Sequence, residues 1–313
     1  MELTVSSFVS LLVYILTFLL GLPGNLLVLF VYIRKARKHG ATPNVVYALN
    51  LCVANLALVS WMPVKVAETL HGWALPAAVC PVYSFFLFSS VYGSSLILTA
   101  VVVGRYLSIA YPITYKLYRR SSTSCLVSAI LWLLVLIHLG FAHTAEGMVD
   151  NTTSNHSLEG SHQDCYIHLS EKQLREMLPL RLGLAVVFFL LPLLICCFCY
   201  ISLICILMKC PLFKRQRKLR VVGLIVGTLL VFAISFAPYN ASHVVGFIKK
   251  ENPDWRMEAL MLSTLNTCFD PIIFFCISKD MRRAIKVCAK ALPITKPRPP
   301  YLLLLTWTNK QSL

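Results

Sequence analysis

A chain of 313 residues with 58% hydrophobic and only 13% charged side chains is no ordinary dissolved domain, because soluble domains carry roughly 25% charged residues. The net charge of +16 would suit nucleic acid, but its placement excludes that reading. Of the 29 Lys and Arg, 22 lie in 34–40, 105–120, 209–220 and 279–313, the alternate connections and the tail of a polytopic membrane protein, which the positive-inside rule puts on the cytoplasmic side with the N-terminus outside.

Seven spans are expected in chain order: 8–33, 44–69, 78–108, 123–145, 177–208, 219–248 and 257–277, each near or above the length needed to cross a bilayer. A single acidic residue, Glu2, precedes the first apolar run, and the run is long enough to span, so no cleavable signal peptide is expected. Pro63, Pro192, Pro238 and Pro271 fall inside spans, where neighbouring helices must supply donors for the carbonyls that proline leaves unbonded. The third span closes on Gly104-Arg105-Tyr106, followed by a short basic loop with Tyr115, Lys116, Arg119 and Arg120. An arginine at that depth needs a partner or a task; a snorkelling side chain is the plainer alternative.

The loop expected over 146–176 is long and polar, and carries two glycosylation acceptors, Asn151 and Asn155. A third match at Asn240 lies inside a span and is ascribed to chance. Most of the 12 cysteines, such as Cys196 and Cys199, sit in apolar runs as small hydrophobes. Cys80 and Cys165 differ, since both fall on the oxidising side and can bridge. After the seventh span, Ser278–Ile285 alternates apolar and basic positions at helical spacing, which predicts a short amphipathic helix on the inner face. The division is a receptor domain over 1–290 and a cytoplasmic tail over 291–313. Cys210 and Cys288 are positions where acylation is conceivable, though nothing in the sequence shows it. Internal repeats of the kind common in transporters are missing.

Two cations stand at outer span ends. Arg181 lies 11 residues before Pro192, roughly 16 Å along a helix, and Arg256 opens the seventh span. Two guanidiniums can hold one carboxylate; the alternative is that each pairs with a protein carboxylate such as Glu176 or Glu258, or reaches lipid headgroups. Tyr239 and His243 share a helix face, with Asn240 beside them and His138 on the fourth span. Together these suggest a polar cluster for an anionic headgroup, although a single histidine is more often a packing residue. Tyr92, Phe85, Phe86, Phe88 and Leu184 are candidates for an apolar wall, or else for helix packing. No metal-ligand spacing, nucleotide motif or nucleophile constellation is present, so neither catalysis nor a cofactor is expected.

The seven spans with Gly104-Arg105-Tyr106, Asn25, Trp132, Pro192 with Tyr200, Pro238, and Asp270-Pro271-Ile272-Ile273-Phe274 resemble a class A (rhodopsin-like) G-protein-coupled receptor. The resemblance implies an all-α seven-helix bundle, a Cys80–Cys165 disulfide, and Arg105 facing a heterotrimeric G protein. Gly104 replaces the usual Asp or Glu, Asn55 the usual sodium-binding Asp, Phe236 a Trp and Phe274 a Tyr; higher basal signalling and no strong sodium site are the expected consequences. At finer grain, Thr42–Leu51, Leu75–Val82, Gly104–Tyr106 and Pro238–Ser242 resemble the long-chain free fatty acid receptor. Leu178–Leu182, His243–Gly246 and Cys165-Tyr166 look like the short-chain members. What this implies is a plasma-membrane receptor in which Arg181 and Arg256 bind the carboxylate of a fatty acid, medium or long by the Gly-Arg-Tyr motif and the first three spans, signalling through a G protein of the Gq or Gi class. A short-chain acid, another small carboxylate or lipid anion, and, from a different class, a transporter are the alternatives.

Overall fold

The computed structural model describes residues 5–72, 75–76, 79–118, 120–153, 171–209 and 215–277. Asn155, Cys165, Cys210, Cys288, the expected amphipathic helix and the tail lie outside them. All regular structure among the described residues is helical: α1 (Val5–His39), α2 (Pro43–Val59), α3 (Met62–His71), α4 (Val79–Ala110), α5 (Pro112–Tyr118), α6 (Ser121–Thr153), α7 (Glu171–Ala185), a π turn (Val186–Leu190), α8 (Leu191–Lys209), α9 (Arg215–Lys249), α10 (Arg256–Thr264) and α11 (Asn266–Ile277). Seven stretches are long and apolar enough to cross a membrane, from Ser7–His39 to Arg256–Cys276. The bundle end that carries Arg181 is called outer here, after the charge placement.

The expected spans are present, with four differences. The second is two helices, α2 and α3, parted at Ser60-Trp61 just ahead of Pro63, whose ring cannot continue an unbroken ladder. The seventh breaks likewise at Leu265, ahead of Pro271. The basic loop after the third span contains α5, opened by Pro112 at its first position, where a missing N–H costs nothing. The fourth helix runs to Thr153, so Asn151 falls on its last turn and the connection expected over 146–176 is shorter than the polarity of that stretch suggested.

Packing centres on α4, where 72% of the most apolar window is buried, against 22% in the fourth span at the rim. Two of the prolines show how the bundle tolerates them. Pro192 lacks the N–H that would bond to the carbonyl of Phe188, and Ser95 of α4 donates its hydroxyl to that carbonyl at 2.6 Å. Pro271 leaves the Thr267 carbonyl open in the same way, and Asn25 of α1 donates Nδ2 to it at 2.8 Å. Each proline therefore becomes an interhelical tie instead of an orphaned acceptor. The close approach of α1 to its neighbours needs small residues: a Cβ on Gly24 would lie 3.1 Å from the Pro271 ring.

The tightest approach is between α4 and α6. A Cβ on Gly93 would sit 2.8 Å from the Trp132 ring, and that indole is pinned because its Nε1 donates to Asn50 Oδ1 of α2 at 3.0 Å. Overpacking a tight core typically costs 1–3 kcal/mol. Gly93→Val is therefore expected to lower the melting temperature of purified protein clearly, while Gly140→Ala, whose Cβ meets open space inside a helix, leaves it unchanged or slightly raised.

Candidate functional site

The outer third of the bundle encloses a cavity of about 100 Å³ between α3, α4, α7, α9 and α10. Among the described residues that line it, Lys65, Arg181 and Arg256 are cationic and none is a carboxylate. Arg181, on α7 two residues after Pro179 and ahead of the π turn, lies inside the bundle, where it is 8% exposed. Arg256 is the first residue of α10, reached by a six-residue connection from α9.

The two guanidiniums converge on one atom. Arg181 Nη1 donates to Asn252 Oδ1 at 3.2 Å, and Arg256 Nη1 donates to the same oxygen at 3.1 Å. A neutral amide oxygen thus stands between two permanent cations, which arginines remain in proteins. Their mutual repulsion favours any anion that replaces the amide, since an opposite charge within about 4–6 Å relieves it. Arg256 Nη2 also donates to Tyr239 OH at 3.1 Å, and its guanidinium lies 5.5 Å from that ring centroid. Tyr239 contacts His243 edge to face at 4.5 Å, and His243 Nε2 meets Tyr92 OH at 3.4 Å. Buried His243 Nδ1 has no partner among the described residues, a polar atom that a ligand oxygen can satisfy.

Of the residues singled out in the sequence, Arg181, Arg256, Tyr239, His243, Tyr92, Phe88 and Leu184 line this cavity. Asn240 and His138 do not. Asn240 turns back to donate to the Phe236 carbonyl at 2.8 Å, and His138 packs edge-on against Phe188 at 5.3 Å. Phe85 and Phe86 pack on each other at 5.8 Å, and Phe86 stacks on Trp61. The floor is a ladder in which Phe88 stacks on Tyr92 at 6.3 Å and on Tyr239 at 6.2 Å, with Tyr92 against Phe188 at 5.2 Å.

One functional candidate, Asn252, escaped the sequence reading, and Lys65, whose position in the second span places it to face an outer cavity, lines the cavity. Asn252 sits in a short loop where polar residues are commonplace; only the Asn-Pro pair marks it as a fixed turn. Lys65 is buried and bonded to Glu68 at 2.7 Å, an i,i+3 pair on α3 that spacing alone does not separate from a surface pair. Lys249 and Lys250 are exposed and away from the cavity, with Lys249 3.6 Å from exposed Glu251 and Lys250 over the Phe247 ring.

At the outer end of α4, Cys80 is disulfide-bonded. Cys165, the expected partner, lies outside the described residues, and peptide mapping without reduction is expected to recover the two cysteines in one linked peptide; two free thiols would refute the pairing. At the inner end, Arg105 is half-buried, beside Tyr200, whose hydroxyl shares a hydrogen bond with Thr228 at 2.8 Å.

Seven helices long and apolar enough to cross a membrane surround a small cationic cavity, and the family to which the chain belongs is one of signalling receptors, not enzymes. The chain belongs to the rhodopsin family of seven-transmembrane receptors, which matches residues 24–274, and within it to the free fatty acid receptors. It is 40% identical to free fatty acid receptor 3 of Mus musculus over 265 residues, 84% of this chain and 81% of that protein. It is 36% identical to free fatty acid receptor 2 of Rattus norvegicus over 273 residues, 87% of this chain and 82% of the relative. Free fatty acid receptor 1 of Rattus norvegicus is also 36% identical, over 83% of this chain and 88% of the relative. The protein is thus a multi-pass protein of the plasma membrane.

Proposed function

We propose that this receptor binds a free fatty acid from the outside, holds its carboxylate between Arg181 and Arg256, and activates a heterotrimeric G protein of the Gq or Gi class through the inner face around Arg105. The convergence of both guanidiniums on Asn252 Oδ1 carries the reading: the carboxylate takes the place of the amide oxygen and draws α7 and α10 together. A ligand that binds one helix arrangement better than another shifts the population toward it.

We further propose a short acid. The medium or long chain expected from the sequence rested on Gly104–Tyr106, which lies at the other end of the bundle from the cavity, and on the first three spans, which reach the cavity through residues such as Tyr14, Lys65, Phe88 and Tyr92. A cavity of about 100 Å³ is below the roughly 300–1,000 Å³ of pockets for drug-sized ligands, and the Phe88, Tyr92 and Tyr239 ladder floors it. Each methylene that fits is worth about 0.8 kcal/mol, and each one beyond the floor must displace a packed ring. Nucleotide exchange on purified G protein, run with a series from acetate to a long unsaturated acid and with methyl esters, tests both parts. Potency is expected to peak at propionate or butyrate and to be lost in the esters. Potency that climbs to the longest acid overturns the short-chain choice, and esters as potent as acids overturn the carboxylate site.

A further inference from the structure

We propose that the inner end of the bundle holds a binding site for a small inorganic anion, of chloride to phosphate size, in the polar cavity beside Gly104. The proposal is independent of which acid the outer cavity takes. This inner cavity has a volume of about 160 Å³ and is lined by Thr42, Asn44, Gly104, Arg105, Ser108 and Tyr115, with Pro43 between the first two. Five of its seven lining residues are polar and none is a carboxylate, so its charge is set by Arg105 alone. Arg105 stays protonated at any accessible pH. Among the described residues no hydrogen bond or ion pair reaches its side chain, which also borders the neighbouring inner cavity with Tyr200 and Thr228; its carbonyl accepts from Ser108 Oγ at 2.8 Å. A half-buried cation without a counter-charge is costly, and a cavity beside it filled with donors is complementary to an anion.

The donors come from three elements. Arg105 is on α4 and Tyr115 is on α5, with the Tyr115 hydroxyl 3.7 Å from where a Gly104 Cβ would stand. Thr42 and Asn44 belong to the start of α2, whose N-cap Thr42 makes no side-chain capping bond. Pro43 has no N–H, and the N–H groups of Val45 and Val46 both bond to the Thr42 carbonyl at 2.9 and 3.0 Å, which leaves the Asn44 N–H without an intrahelical acceptor at the start of that 17-residue helix; its positive dipole end adds to the field of Arg105. Gly104 supplies the room. A Cβ built there meets only Tyr115 OH, at 3.7 Å, an ordinary contact, so the space is open to a side chain and hence to a solvated ion.

The same geometry gives the test. A carboxylate at position 104 would enter the cavity and serve as a tethered anion. The full-length receptor is purified into nanodiscs of neutral phosphatidylcholine, so that no lipid supplies the anion. Its melting temperature is then measured in chloride, in inorganic phosphate and in gluconate at equal ionic strength. Wild type is expected to melt several degrees higher in chloride or phosphate than in gluconate, with a saturable dependence. Gly104→Asp is expected to melt higher than wild type in gluconate and to lose the response to both anions. Tyr115→Phe, which removes one donor and little volume, is expected to raise the half-saturating anion concentration several-fold. A wild-type melting temperature equal in all three salts overturns the proposal. So does an equal anion increment in wild type and Gly104→Asp, or, should Gly104→Asp fail to fold, an unchanged half-saturating concentration in Tyr115→Phe. Because the readout is a melting temperature without G protein or fatty acid, failure here leaves the outer site untouched.

Discussion

Replacing Arg181 or Arg256 by alanine is expected to weaken fatty acid potency by about tenfold or more at equal surface expression. A hydrogen bond to a charged group is worth roughly 1.5–3 kcal/mol, and every 1.4 kcal/mol is tenfold. The loss should be larger for Arg181, which is the more deeply buried of the two. Lysine at either position should rescue only in part, since an ammonium lacks the planar fork that can grip a carboxylate with two N–H groups. Asn252→Ala separates positioning from charge. It removes the oxygen that holds both guanidiniums, at 3.2 and 3.1 Å, yet leaves both charges, so its effect should be smaller than that of either arginine. Wild-type potency in both alanine variants, measured by nucleotide exchange, would refute the site.

The second large effect is on stability. Asn55 is fully buried; its Nδ2 donates to Asp270 Oδ2 at 2.8 Å and to Asn25 Oδ1 at 3.1 Å. Asn266 Nδ2 donates to the same Asp270 oxygen at 3.1 Å, while Asp270 Oδ1 has no partner among the described residues. Asn55→Leu keeps the volume but strips one of two donors from a buried carboxyl group and orphans the Asn25 oxygen. With roughly 1–3 kcal/mol for each buried polar group left unsatisfied, the loss should reach about 3 kcal/mol or more, read as a much lower melting temperature and reduced surface expression. Ser94→Ala, which removes only the long 3.4 Å contact to Asn55 Oδ1, should cost under about 1 kcal/mol. Equal melting of Asn55→Leu and wild type would show that this polar cluster does not support the fold.

The seven spans were legible in the sequence because the bilayer acts on contiguous segments. Hydrocarbon thickness sets their length, and the charge rule gives the side on which each connection is expected. Arg181 and Arg256 were legible as candidates for the same reason, since a cation near the end of an apolar run stands out against its own neighbours. What a local pattern does not carry is the rotation of each helix about its axis. Asn240 and His243 are three residues apart on α9, yet one turns to its own backbone and the other lines the cavity. His138 and Tyr92 are equally apolar in context, yet only Tyr92 faces the arginines. The breaks ahead of Pro63 and Pro271 were signalled by proline, but the donors that make Pro192 and Pro271 tolerable come from 93 and 242 positions away in the chain. Asn252 could not be picked out from composition, because its importance is that one oxygen meets two cations, the first 71 residues earlier and the second on the next helix. The sequence by itself determined the class of fold and the existence of an outer cationic site, through segment-scale hydrophobicity and charge. Only the tertiary structure decided the size of the cavity, its aromatic floor and the atom at which the arginines meet, because those depend on side chains brought together by packing across the bundle.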